Sequence, residues 1–195
     1  ELYHWRGLLF YFVVNNGLQQ VSCTSWFDSK ILSMKKQIPA EQTDANIREV
    51  LRLLAETPAK LESLSKGLTD AQLQQALGVG ERSITEALAH ILNCEAIAAE
   101  SIYLALLVKE PLLAGIHAER DLGKLLRFDQ LPFADLLAYF KTRRTVLLHV
   151  LEALTDDKWS RCIREPGKQR KESVYWRARG QALHELEHVL NLEDK

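Results

Sequence analysis

The sequence predicts an all-α fold, a four-helix bundle with one long connection between its second and third helices. Three observations carry this. After Met34, apolar residues recur at three- and four-residue spacing over four long stretches. Glycines and prolines cluster between those stretches, where chain breaks belong. No segment after Met34 shows the alternation of a half-buried strand, so none is expected. A hydrophobic share of 47% with 26% charged residues suits an ordinary globular domain, and 195 residues suffice for one sizeable core.

Residues 1–33 read differently from the rest. They hold Tyr3, Trp5, Phe10, Tyr11, Phe12, Trp26 and Phe27 without helical or strand periodicity. Leu8 to Val14 is a short apolar run behind Arg6, but Gln19, Gln20 and Val21 make a poor cleavage site for a signal peptide. The expectation is that Met34, the single methionine, starts the natural protein and that 1–33 is a non-native or disordered extension. A real N-terminal extension is the alternative. The domain proper is then 34–195.

The first long helix is expected from about Thr43 to Lys66, carrying Ile47, Val50, Leu51, Leu54, Leu61 and Leu64. Pro58 should kink it and Gly67 should end it. A helical turn follows at Thr69–Leu77, and Gly78 and Gly80 break the chain. The second helix begins at Ser83, where Ser83 and Glu86 form a capping box, and runs to about Val108 before Pro111 stops it. Residues 109–130 form the long connection, with a helical turn near Asp121–Leu126. The third helix spans Pro132 to Leu154, and the fourth starts near Lys171–Ser173 and continues almost to the end. Leu68-Thr69-Asp70 after the first helix is echoed by Leu154-Thr155-Asp156 after the third. The echo suggests two similar helical hairpins packed together, or only shared capping chemistry.

Composition narrows the function. A net charge of −1 with interspersed acids and bases argues against a nucleic-acid backbone as partner. Cys23, Cys94 and Cys162 are three and widely spaced, which points away from a disulfide framework and towards a reducing, cytoplasmic setting. No uninterrupted apolar run reaches the roughly 18 residues that span a bilayer, so no membrane is expected as partner.

The histidines carry the chemistry. His184 and His188 stand one helical turn apart and project from the same side of the fourth helix, a spacing that suits one metal ion or two solvated or core histidines. The string His184-Glu185-Leu186-Glu187-His188 fits the H-E-x-x-H pattern of zinc proteases. That reading is disfavoured, because those enzymes take a third ligand downstream and no histidine follows His188. The upstream donor is His90, between Ala89 and Ile91. If the second and fourth helices run antiparallel, His90 and His188 both sit about 10 Å from the same end, and three imidazoles converge. Three protein ligands leave a coordination position open. Cys94, one turn beyond His90, could close it as a fourth ligand or simply be a small buried residue. His4, His117 and His149 are expected to be structural or solvated.

Asn93, Glu185 and Glu187 are candidates to hydrogen-bond an imidazole or a bound water, and equally good solvated polar residues. Arg143, Arg144, Arg177 and Arg179 are candidates to hold a carboxylate, with surface charge as the plainer reading. Trp159 and Trp176 are expected to be packing residues.

Ser83-Ile-Thr-Glu-Ala-Leu-Ala-His90 resembles the second-helix motif of the DinB-like superfamily of metalloenzymes, and His184-Glu-Leu-Glu-His188 resembles its fourth-helix motif. Leu136–Trp159 and Leu61–Leu73 also fit the family pattern, so the resemblance covers nearly all of residues 40–193. Arg82 departs from it, where many relatives have Trp before the helix-opening Ser. The resemblance implies a four-helix bundle with a mononuclear site at His90, His184 and His188, holding zinc or nickel. It also implies metal-dependent chemistry on a small-molecule substrate, with a low-molecular-weight thiol as co-substrate in S-transfer or isomerisation. A non-catalytic metal- or ligand-binding stress protein is the alternative. A homodimer is one expectation for assembly.

Overall fold

The computed structural model describes residues 38–195. The expectations for 1–33 and for Met34 as a start lie outside the described residues. Four long helices make the bundle, and all four begin and end close to where the periodicity places them.

The first, α1 (Asp44–Ser65), is capped by Thr43, whose hydroxyl accepts from the Asn46 N–H at 3.2 Å. Pro58 lies inside it and is buried. A single turn, α2 (Asp70–Gln74), carries a full capping box between Thr69 and Gln72. The second long helix, α3 (Ile84–Leu107), opens on the expected box: Glu86 N–H donates to Ser83 Oγ at 3.1 Å and Ser83 N–H to Glu86 Oε2 at 2.8 Å. By length and composition α3 could cross a bilayer, which a search for unbroken apolar runs misses. Half of its apolar window is buried inside the bundle, as a core helix requires.

The long connection is more ordered than its sequence suggests. It holds a π-helical turn (Ala118–Gly123) running into α4 (Lys124–Leu126), then a 3-10 turn (Phe128–Gln130). The third long helix is α5 (Phe133–Glu152), followed by the short α6 (Asp156–Trp159). The expected absence of strands is corrected here. Cys162–Ile163 (β1) and Glu172–Ser173 (β2) pair as a small antiparallel hairpin that leads into α7 (Val174–Glu193). Two-residue strands are too short to leave an alternating pattern. The hairpin loop also anchors the long connection, since Leu113 N–H donates to Arg164 O and Arg164 N–H to Pro111 O, both at 2.9 Å.

Each of α1 and α3 packs on both α5 and α7. α1 and α3 therefore occupy opposite corners, as do α5 and α7, which corrects the picture of two packed hairpins. The echo of Leu-Thr-Asp is likewise only partial, because Thr155 makes no side-chain cap bond whereas Thr69 does. This arrangement brings α3 and α7 side by side.

The core has two apolar clusters. Leu54, Ile102, Leu147 and Leu186 belong to one, and Leu88, Ile91, Leu92, Phe140 and Val189 to the other. Leu186 and Val189 fall in different clusters, so the stretch of α7 that carries His184 and His188 spans their junction. Buried polar groups gather near it: Glu95 and Glu185 are 0% exposed and Arg144 2%. Arg144 donates to Glu185 Oε1 at 2.5 Å and to Leu54 O at 3.1 Å, and Gln181 donates to the same Glu185 oxygen at 2.7 Å. One guanidinium thus links α1, α5 and α7.

Candidate metal centre

His90 lies two turns into α3, and His184 and His188 lie near the C-terminal end of α7, one turn apart. The antiparallel pairing of α3 and α7 brings all three rings together. His184 Nε2 stands 3.1 Å from His90 Nε2 and 3.1 Å from His188 Nε2. One ligand atom from each residue lies within 4.8 Å of the others, so the triad could hold a metal ion.

Hydrogen bonding among the rings does not account for this approach. Glu119 on the π-helical turn contacts His90 Nδ1. With Nδ1–H donating to that carboxylate, a neutral His90 turns the lone pair of Nε2 inward. His184 Nε2 then carries one proton at most, and one proton serves only one of its two close contacts well. A cation among the lone pairs resolves the conflict. Two nitrogens bound to one tetrahedral zinc are about 3.3 Å apart, given bonds of about 2.0–2.1 Å, close to the spacing seen.

The electrostatics favour neutral rings. Burial, followed by the nearby His90 ring, pushes His184 down to about 4. Burial and the His184 and His90 rings push His188 down to about 3. Both rings are therefore unprotonated at neutral pH, the state a metal ion would require.

Cys94 does not join the triad. Its Sγ lies 3.8 Å from His90 Nε2 and 4.0 Å from Nδ1, beside the ring rather than at the point of convergence. Burial pushes its thiol up to about 11, which keeps it protonated. The arrangement is three imidazoles with an open side.

The candidate supporting residues divide. Asn93 is buried close to His90, and its Oδ1 has no hydrogen-bond partner. Glu185 is committed to Arg144 and Gln181. The arginines are occupied too: Arg143 by Glu95 at 3.0 Å, Arg144 by Glu185, Arg177 by Glu165 and Glu172, and Arg179 by the carbonyls of Ile38 and Pro39. All four serve the scaffold. Trp159 packs in the core as expected, while Trp176 stacks beneath Arg170, 3.9 Å from its ring centroid. His149 is exposed on α5.

Glu119 was not legible in the sequence. It sits in the long connection, 29 positions from its partner. The one local cue is His117, whose Nδ1 accepts from the N–H groups of Glu119 and Arg120 at 3.2 Å. His117 is therefore the cap of the turn that presents Glu119, as π-helical turns at functional sites often require.

The sequence and fold were compared with known proteins. No curated protein matches the sequence. Among solved structures, YfiT from Bacillus subtilis aligns with a TM-score of 0.71 at 16% identity, covering 81% of this chain and 90% of that one. That protein is described as a probable metal-dependent hydrolase with an unusual four-helix bundle topology. The model of the DinB superfamily matches residues 53–192, most of the chain, and the chain belongs to that superfamily.

Proposed function

We propose that this protein is a metal-dependent enzyme acting on small molecules, with one divalent ion, zinc or nickel, held by His90, His184 and His188. The observation that carries the reading is the convergence of three imidazoles, with His184 Nε2 3.1 Å from both His90 Nε2 and His188 Nε2, where a single proton on His184 serves only one contact well. A bound ion supplies Lewis acidity at its open position, lowering the pKa of a thiol or water ligand so that a nucleophile exists at neutral pH.

The chain's own residues do the rest. Glu119 fixes the His90 tautomer and ring orientation. The Arg144–Glu185–Gln181 network holds α7 in register, so that the donors of His184 and His188 stay aimed. Cys94 lies beside the His90 ring and outside the set of three donor nitrogens, which leaves the open side to an incoming group. Family membership and the hydrolase description of YfiT support hydrolysis or thiol transfer, and of these we favour thiol transfer to a small electrophile.

Cobalt-substituted protein tests this. Its visible spectrum should shift on adding glutathione, mycothiol or bacillithiol, and one of these should be consumed with an electrophile such as a monochlorobimane-type dye. A spectrum indifferent to every thiol, with no turnover, would overturn thiol transfer and leave hydrolysis or a non-catalytic binding protein.

A further inference from the structure

A cavity of about 380 Å³ opens beside the imidazole triad, with His90 in its wall. Its size lies in the range of small-molecule sites. One side is α3, through Ala89, His90 and Asn93, with Arg82 just before its cap; the other is the connection, through Glu119, Gly123 and Lys124.

Three features give it a chemical preference. Its acidic groups are already engaged: Glu86 accepts from Ser83 N–H at 2.8 Å, Asp129 pairs with Arg127 at 3.3 Å, and Glu119 contacts His90 with Arg82 at 3.9 Å. Arg82, Lys124 and Arg127 balance Glu86, Glu119 and Asp129 in the wall; of the cations, Lys124 has no ion-pair partner among the described residues and Arg82 is held only at long range, so these two are left to meet an anion. Asn93 is 4% exposed, lines the cavity and leaves Oδ1 unpartnered. A buried acceptor without a donor is costly unless something that enters the cavity completes it.

Gly123 supports the same reading. It has helical dihedrals, φ −59° and ψ −41°, so no backbone demand calls for glycine. A Cβ there would stand 3.3 Å from Asn93 Nδ2 and crowd that amide. The glycine keeps the Asn93 side of the cavity clear.

We propose that this cavity binds the carboxylate end of a small substrate, with Lys124 and Arg82 taking the carboxylate and the Asn93 side-chain amide hydrogen-bonding a polar group of the same molecule. One free cation and one shared cation match a single negative charge better than a phosphate dianion. The proposal rests on the metal-centre reading only for what happens to the substrate's other end.

The test uses N-acetylglycine, which carries one carboxylate and one amide N–H, and its neutral counterpart N-acetylglycinamide. Both are titrated into zinc-loaded protein by NMR, following the Asn93 side-chain amide, with zinc content measured on the same samples. The acid should bind about tenfold more tightly than the amide, and Lys124→Gln should remove that difference. Gly123→Val, which fills the cavity against Asn93 and the Glu119 carboxylate and leaves Lys124 in place, should weaken both. Equal binding of acid and amide, an unchanged Lys124→Gln variant, or inorganic phosphate binding more tightly than the acid would overturn the assignment. Repeating the titration on metal-free protein separates the two readings. Acid binding that persists there supports the cavity even if no zinc is found, whereas binding that needs zinc and ignores Lys124 places the anion at the metal and overturns it.

Discussion

Glu119 and His90 meet across 29 positions of chain, and the contact is to Nδ1, the ring nitrogen that faces away from the other two histidines. The long connection thus sets the tautomer of a residue on α3. A carboxylate that holds an imidazole in this way raises its basicity as a ligand and fixes its plane. The exposed Glu119 carboxylate, 43% accessible, reaches a ring that is 13% accessible.

Replacing Glu119 should therefore weaken metal binding without removing a ligand. Glu119→Gln is expected to lower zinc affinity by about 10–100-fold. Glu187→Gln, on the same helix as His184 and His188, should leave it unchanged. Competition with a chromophoric chelator reads both, and equal affinities in the two variants would separate Glu119 from the metal centre.

His117→Ala should act more mildly than Glu119→Gln. It loses the ring that accepts from the Glu119 and Arg120 N–H groups, which loosens the turn and leaves the carboxylate intact. A cap is worth about 1 kcal/mol, so a loss of metal affinity near fivefold is expected in the same chelator assay. A larger loss than for Glu119→Gln would point to a direct role for His117.

The Arg144–Glu185 pair should matter to stability through what its loss leaves behind. Arg144→Met strands a carboxylate that is 0% exposed and should cost about 3–5 kcal/mol in urea unfolding. Adding Glu185→Met removes the stranded charge and should recover most of the loss. A double variant as unstable as the single one would show that the network acts through packing and not charge.

Acid should destabilise the metal-free protein through its buried histidines. His184 and His188 are held near 4 and 3, below the ordinary histidine value of about 6.5. Between those limits the unfolded chain binds more protons than the folded one, so stability falls as pH drops below about 6.5. Each pKa unit is worth about 1.4 kcal/mol, and a loss of a few kcal/mol is expected by pH 4.5. Urea titrations of apo protein at pH 7.5 and 4.5 check this, and His188→Gln should show the shallower slope.

Much of this was written in the sequence. Ser83 and Glu86 fixed the start of α3, and with it the depth of His90, because a capping box is a local contact between neighbours. His184 and His188 were legible because four-residue spacing puts them on one face. What could not be read depends on distant chain. Glu119 meets His90 only through the folded connection; Arg143, Arg144 and Arg177, offered as ligand-binding groups, proved to face carboxylates, and Arg179 backbone carbonyls. Helix order around the bundle was misjudged for the same reason, since amphipathic faces do not say which neighbour they cover.

The most direct test is the metal content of single-histidine variants. Elemental mass spectrometry on wild type should find about one divalent ion per chain, as three imidazole ligands define a single site. His90→Ala, His184→Ala and His188→Ala should each lose most of it, while His149→Ala keeps it. Thermal melts should show a folded bundle in every case, less stable only by the lost binding linkage. Full occupancy in the His90→Ala variant would contradict the account, because the ion would then rest on α7 alone.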